Sequence, residues 1–347
     1  MRNSTLGLRL FVFSLAIVGG FVHTSAAEAQ QQISGYGELH YNNIPSSGEN
    51  GDETIDFHRF VLFFGHEFSE SIHFFSEIEL EHSLAGEGKA GEVELEQAYI
   101  LFQLNETMAV TAGLFIVPVG ILNETHEPPT FYGVERNPVE KRIIPATWWE
   151  SGGMLSGTLP EIGFSYDLAY HSGLDAGANI RSGRQKSSKA EAEHKAMTGR
   201  VRYSGQPGLE IAATVQYQED LDQVEGGADD AVLFETHMVL TKGDFGARAL
   251  YALWDINGDV GISYLSEQSG FYVEGSYKIS PQWGLFARHA ELNYRQTSAG
   301  LEREEQQQNV GFNYWPHEGV VIKADIQAQN DDAGDGDGFN LGIGYQF

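Results

Sequence analysis

The sequence predicts an all-β chain: a transmembrane, up-and-down antiparallel β-barrel of about sixteen strands, with short periplasmic turns and long extracellular loops. Three observations predict it. Apolar residues recur at every second position in one stretch after another, and the connections between those stretches alternate between short and long. The composition, with 41 Gly, 21 Phe and 15 Tyr but no Cys in 347 residues, suits strands and turns rather than helices.

At the N-terminus, Arg2 and Arg9 precede the apolar run Leu10 to Val22, and Ala27-Glu28-Ala29 offers an A-x-A cleavage site before Gln30. That is the layout of a secretory signal peptide over residues 1–29, and the run is too short to span a bilayer comfortably. The barrel is then expected over residues 30–347. Losing Arg2, Arg9 and Glu28 leaves 19 bases against 48 acids, a net charge of −29. So acidic a chain argues against nucleic acid as a partner. Without cysteine in an oxidising compartment, neither disulfides nor thiolate metal sites hold it together.

Strand alternation is clearest at the C-terminus. Phe339, Leu341, Ile343, Tyr345 and Phe347 alternate with Asn340, Gly342, Gly344 and Gln346. The same rhythm predicts strands at 33–43, 54–68, 71–84, 92–104, 107–116, 149–158, 162–172, 195–204, 208–218, 231–241, 245–254, 269–279, 283–294, 307–315, 319–329 and 338–347. Short turns such as Ser69-Glu70, Asn105-Glu106 and Lys242-Gly243-Asp244 all fall at one end, and the long connections all fall at the other. A soluble sandwich has no reason for that asymmetry. In hydrocarbon the sheet must also close, because an open edge would leave N–H and C=O groups without partners. Tyr36, Tyr41, Tyr166, Tyr170, Tyr277, Trp283, Trp315 and Tyr345 are expected in the aromatic girdles of the outer surface.

The longest break in the rhythm runs from Val117 to Trp149. It holds five of the ten prolines (Pro118, Pro128, Pro129, Pro138 and Pro145), acids mixed with bases, and Phe131, Tyr132, Trp148 and Trp149. Prolines stop a ladder, and this much apolar surface is more than a disordered spacer carries, so a folded loop is expected. Turned inward, it would narrow the lumen and make Glu124, Glu127, Arg136, Glu140, Lys141 and Arg142 constriction residues.

With apolar residues outward, the opposite parity lines the lumen: Glu77, Glu79, Asp167, Arg200, Arg202, Arg248, Lys323 and Asp325. A barrel this wide encloses water, so these charges need not be paired. Arg200, Arg202 and Arg248 are candidates for a basic patch and Glu77, Glu79 and Glu81 for an acidic row. A basic wall facing an acidic loop would set up a transverse field.

Other chemistry is weakly signalled. The run Asn330 to Gly338 is acidic and oxygen-rich like a Ca²⁺ loop but lacks the bidentate Glu of an EF-hand, and an acidic hairpin accounts for it. The 12 histidines include no i, i+4 pair, so neither metal nor cofactor is expected. Glu150-Ser151-Gly152-Gly153 does not fit a nucleophile elbow, and no enzyme is expected.

At Gly113-Leu114-Phe115, Pro118-Val119-Gly120, Glu135-Arg136, Pro145, Gly152 and Gly157 the chain resembles the outer-membrane porins that include the phosphate- and pyrophosphate-selective porins. The resemblance implies a sixteen-stranded trimer, passive diffusion of small hydrophilic or ionic solutes, and an inward-folded loop at the constriction. In that family basic ladders pass phosphate. Here lysines are few and inward acids rival inward arginines, so Arg136, Arg200, Arg202 and Arg248 stand only as candidate anion contacts. The terminal Phe347 resembles the signal read by the barrel-assembly machinery. Expected partners are outer-membrane lipid, lipopolysaccharide, two further copies of the chain and small solutes or ions. A phosphate- or anion-selective pore, and a plugged barrel with a structural or ligand-uptake role, remain the alternatives.

Overall fold

The computed structural model describes residues 31–45, 52–176, 179–223, 230–257, 266–296, 300–331 and 334–347. The expected signal peptide and parts of several outer loops, including residues 332 and 333 of the acidic run, lie outside them.

The wall strands are β1 (Gln31–Ile44), β2 (Asp52–Ser69), β3 (Ile72–Glu81), β4 (Val93–Asn105), β5 (Met108–Ile116), β6 (Trp149–Leu159), β7 (Phe164–His171) and β8 (Ala196–Gln206). They continue as β9 (Leu209–Gln218), β10 (Ala231–Lys242), β11 (Phe245–Ile256), β12 (Glu267–Lys278), β13 (Trp283–Gln296), β14 (Leu301–His317), β15 (Val320–Asp331) and β16 (Gly338–Gln346). Each pairs antiparallel with its sequence neighbour, and a two-residue pairing at Gly334–Asp335 prolongs the last hairpin. Tyr36 opposite Gln346 and Asn43 opposite Phe339 close β1 on β16, giving a closed sixteen-stranded barrel without edges. No helix of the described residues is long and apolar enough to cross a membrane.

The alternation works as expected over most of the wall. Leu62, Ile78, Leu168, Val201, Ile322 and Leu341 are exposed on the outer face, while Glu77, Asp167, Arg200, Lys323 and Asp325 are buried inside. Two girdle assignments are corrected. Tyr36 is fully buried, because it shares its parity with inward Glu38. Trp315 shares its parity with inward Asn313, and its Nε1 donates to Pro129 O at 3.4 Å. Strand β14 is also longer than the predicted 307–315. Its polar outer part pairs its backbone with β13, since ladder bonds need no apolar side chains beyond the hydrocarbon.

One part of the inner face is apolar. Leu233, Leu250, Ala252, Trp254, Tyr272, Ala290 and Leu292 of β10 to β13 pack with Val117, Val119, Ile121, Val139, Ile143, Ile144 and Trp148 of the long loop. The wall thus provides a seat, and the loop's aliphatic residues fill it. Burying each such side chain stabilises the docked loop by roughly 1.5–3 kcal/mol.

Candidate functional site

The loop between β5 and β6 begins at a close backbone approach. Gly113 faces Gly152 across the ladder. A Cβ on Gly113, whose φ is +135°, would lie 2.4 Å from Ala98 O, and one on Gly152 would lie 2.1 Å from Tyr170 O, so only glycine fits at either position. Asn123 ties the base together: its Nδ2 donates to Val117 O at 2.8 Å and its Oδ1 accepts from Trp148 N at 2.6 Å.

Further along, Pro138 opens the one-turn helix α1 (Pro138–Arg142), capped by Asn137, whose Oδ1 accepts from Glu140 N at 2.9 Å. Glu140 was expected at the constriction. It is instead fully buried within the loop. Its Oε2 accepts from Ile121 N at 2.8 Å and from Leu122 N, and its Oε1 accepts from Tyr272 OH at 2.8 Å. Its place among Val139, Ile143 and Ile144 makes it an internal brace, because a charge there requires this many donors.

Residues 128–135 cross to the far wall, where side chains from four strands hold their backbone. Arg248 donates to Thr130 O at 2.8 Å, Asn313 to Phe131 O at 2.9 Å, and Arg288 to Tyr132 O and Glu135 O, both at 3.3 Å. Asp325 accepts from Val134 N at 2.8 Å, and Lys323 Nζ sits 3.4 Å from the centroid of the Phe131 ring. The lining residues Arg248, Lys323 and Asp325 therefore face inward as expected but are engaged with the loop.

The expected basic patch is divided. Arg200 is gripped by Asp167 at 2.7 Å and by Glu124 of the loop, while Arg202 lies 3.9 Å from Glu210, and Arg248 is at Thr130. Burial would raise the Glu124 carboxyl, but the Arg200 guanidinium holds it below 4.5. Arg142 pairs with Glu305 of β14. Glu127 is half-buried, and burial pushes its carboxyl up.

The field that the structure does assemble has the opposite sense from the one expected: the acids are on the wall and the bases on the loops. Glu77, Glu79, Glu94 and Glu96 are buried inward on β3 and β4. Facing them, Arg136 donates to Thr147 Oγ1 at 2.9 Å, Arg181 to Lys141 O at 2.8 Å and Ala146 O at 2.6 Å, and Arg184 to Thr147 O. Burial lowers the Arg184 guanidinium, and Glu94 and Glu96 push it back up, while Arg136 is lowered first by burial and then by Arg59. Lys141 is raised by Glu135 4.0 Å away, yet burial and the neighbouring Arg181, Arg142 and Arg136 bring it below 10.5 overall. Sequence reasoning missed Glu94, Glu96, Arg59, Arg181 and Arg184. The first two were legible, since Glu94 and Glu96 alternate with exposed Val93 and Leu95.

Residues 35–205 match the family described as phosphate-selective porin O and P, and they lie within the closed sixteen-stranded barrel. The protein is an outer-membrane porin related to this family. An uncharacterized protein of Aquifex aeolicus is 29% identical over 348 residues, covering 91% of the porin and 79% of that relative. OmpF of Salmonella typhi, in complex with daunomycin, superposes with a TM-score of 0.68 at 12% identity, covering 92% of the porin and 98% of that chain. A trimer form of in-vitro folded OmpT of Vibrio cholerae gives 0.64 at 12%, covering 92% and 100%. At these identities the two structures share the fold. Family and fold are those of a channel rather than an enzyme.

Proposed function

We propose that this porin passes small hydrophilic solutes through an eyelet between the β3–β4 wall and the folded loop, with a weak preference for cations and no selectivity for phosphate. The observation that carries the reading is the facing of Glu79, Glu94 and Glu96 with Arg136, Arg181 and Arg184, a transverse field that orients dipolar solutes rather than binding one sign tightly. Arg200, Arg248 and Arg288, which could have formed an anion ladder, are each occupied by a carboxylate or a loop carbonyl. The excess of 49 acids over 21 bases adds a general cation bias. We read the lumen as a conduit without a catalytic role. The working assembly is a homotrimer in lipid and lipopolysaccharide, with Phe347, exposed on the outer face, as the group offered to the assembly machinery.

A second reading, an anion-selective pore, draws on the convergence of Arg136, Arg181 and Arg184 on residues 146 and 147. The reversal potential in a planar bilayer under a salt gradient separates the two. A small cation-selective potential, made larger by Arg184→Ala, supports the first reading. A strongly anion-selective potential overturns it in favour of the phosphate pathway, and a folded protein without conductance overturns both.

A further inference from the structure

The geometry points to a transition-metal site inside the lumen, built from Glu77, Glu96 and His126, which fastens the loop to the β3–β4 wall. The three side chains come from separate elements, and each is at least 97% buried, with exposures of 0%, 2% and 3%. Glu77 is on β3. Glu96 is the extra residue of a bulge in β4, because Glu77 pairs with Gln97 and the next residue, Ile78, pairs with Leu95. A bulge of this kind re-aims a side chain, here into the lumen. His126 is on the first limb of the loop.

Three atoms converge, and none of them has a hydrogen-bond partner: Glu77 Oε1, Glu96 Oε2 and His126 Nε2. They lie within 4.8 Å of one another. Orphaned polar atoms this deeply buried are costly, and three of them meeting at one point call for a ligand. His126 Nε2 is 3.5 Å from Glu77 and 3.9 Å from Glu96, beyond good N–H···O range. These separations are close to the spacing of metal ligands, since two atoms each about 2.0–2.1 Å from a tetrahedral Zn²⁺ lie about 3.3 Å apart.

The surroundings fit the same reading. His126 Nδ1 lies 3.2 Å from Asn123 O. Donation there fixes the tautomer and leaves Nε2 as a lone pair, the arrangement found behind metal-bound histidines. Gln97 Nε2 donates to the other Glu77 oxygen at 2.6 Å and orients it. Arg59 of the same wall makes its ion pairs with Glu38 at 2.9 Å and Glu79 at 3.3 Å, not with Glu77 or Glu96. One nitrogen and two carboxylate oxygens suit Zn²⁺ or a neighbouring divalent transition ion, whereas a nitrogen ligand disfavours Ca²⁺ and Mg²⁺.

The test uses the folded full-length barrel in detergent, stripped with EDTA and titrated with Zn²⁺, with bound metal counted after gel filtration and Co²⁺ absorption as a spectroscopic check. One Zn²⁺ per chain is expected, weakened at least tenfold by His126→Asn and by Glu96→Gln and unchanged by Asp56→Asn, which removes the carboxylate that meets His58 Nδ1 at 2.9 Å and His82 Nδ1 at 2.8 Å in a separate cluster. Heat-modifiable gel migration reports folding. Should His126→Asn fail to fold, Glu96→Gln on the wall serves alone. Wild-type protein that retains no Zn²⁺, equal binding by wild type and Glu96→Gln, or loss of binding on Asp56→Asn would each overturn the site.

Discussion

Tyr272 of β12 donates its hydroxyl to Glu140 of the loop at 2.8 Å, across a sequence separation of 132 residues. The contact joins a wall strand to a carboxylate that also holds the amides of Ile121 and Leu122. Glu140→Ala removes these three bonds and a fourth from Asn137 Nδ2 at 3.2 Å, and each orphaned donor costs roughly 1–3 kcal/mol. The barrel ladder is untouched, so heat-modifiable migration should persist while single-channel conductance rises as the loop leaves its seat. Unchanged conductance would show that Glu140 is not what holds the loop.

Trp254 tests the apolar half of the same seat. Its indole packs 6.2 Å from that of Trp148, and its Nε1 donates to Ile143 O at 2.8 Å. Trp254→Ala should weaken docking by about 3–5 kcal/mol. Limited proteolysis of detergent-solubilised protein should then cut within residues 117–148, with the strands protected.

Arg200 stands between Glu124 and Asp167. Arg200→Ala would strand two inward carboxylates, a loss of about 3–5 kcal/mol for breaking a buried pair. The reversal potential should move toward cations. Arg200→Lys, which keeps the charge but not the forked geometry, should restore selectivity more than stability.

The pH dependence rests on Glu135. Burial alone would raise its carboxyl, but the hydrogen bond and charge of His40, 2.9 Å away, hold it well below the usual 4.5. A carboxylate depressed in the folded state contributes fully above its unfolded value and loses that contribution as pH falls through the folded one. The anchor should therefore hold at neutral pH and weaken in acid below the ordinary carboxylate range. Conductance recorded from pH 7 down to pH 3 should show a transition that Glu135→Gln flattens, and the same acid transition in both proteins would assign it elsewhere.

Strands were legible wherever their two faces differ chemically. In β7, exposed Leu168 and Tyr170 alternate with buried Asp167 and His171, and the pattern admits one orientation. Strands β10 to β13 were legible as strands but not as a seat, because Leu233, Leu250 and Trp254 are apolar on the inner face while Phe234 and Tyr251 are exposed on the outer one. With both parities apolar, nothing in the sequence distinguishes docking surface from lipid surface. That the loop is folded was readable from its prolines and aromatics. Its contacts were not, since Thr130, Phe131 and Tyr132 offer backbone carbonyls to the wall, and every residue has one. Glu77, Glu96 and His126 meet only because a bulge and a loop bring them together, and the spacing of histidines along the chain carries no trace of it.

The side chains that hold the backbone of residues 130–135 come from β11, β13, β14 and β15, all synthesised after the loop they hold. The loop's receiving surface does not exist until the last third of the chain has been laid into the sheet. Narrowing at the proposed eyelet is thus a product of barrel closure and cannot precede it. A chain stalled after β10 would carry its gate unlatched, and the transition from a wide to a narrow opening should mark the final step of assembly.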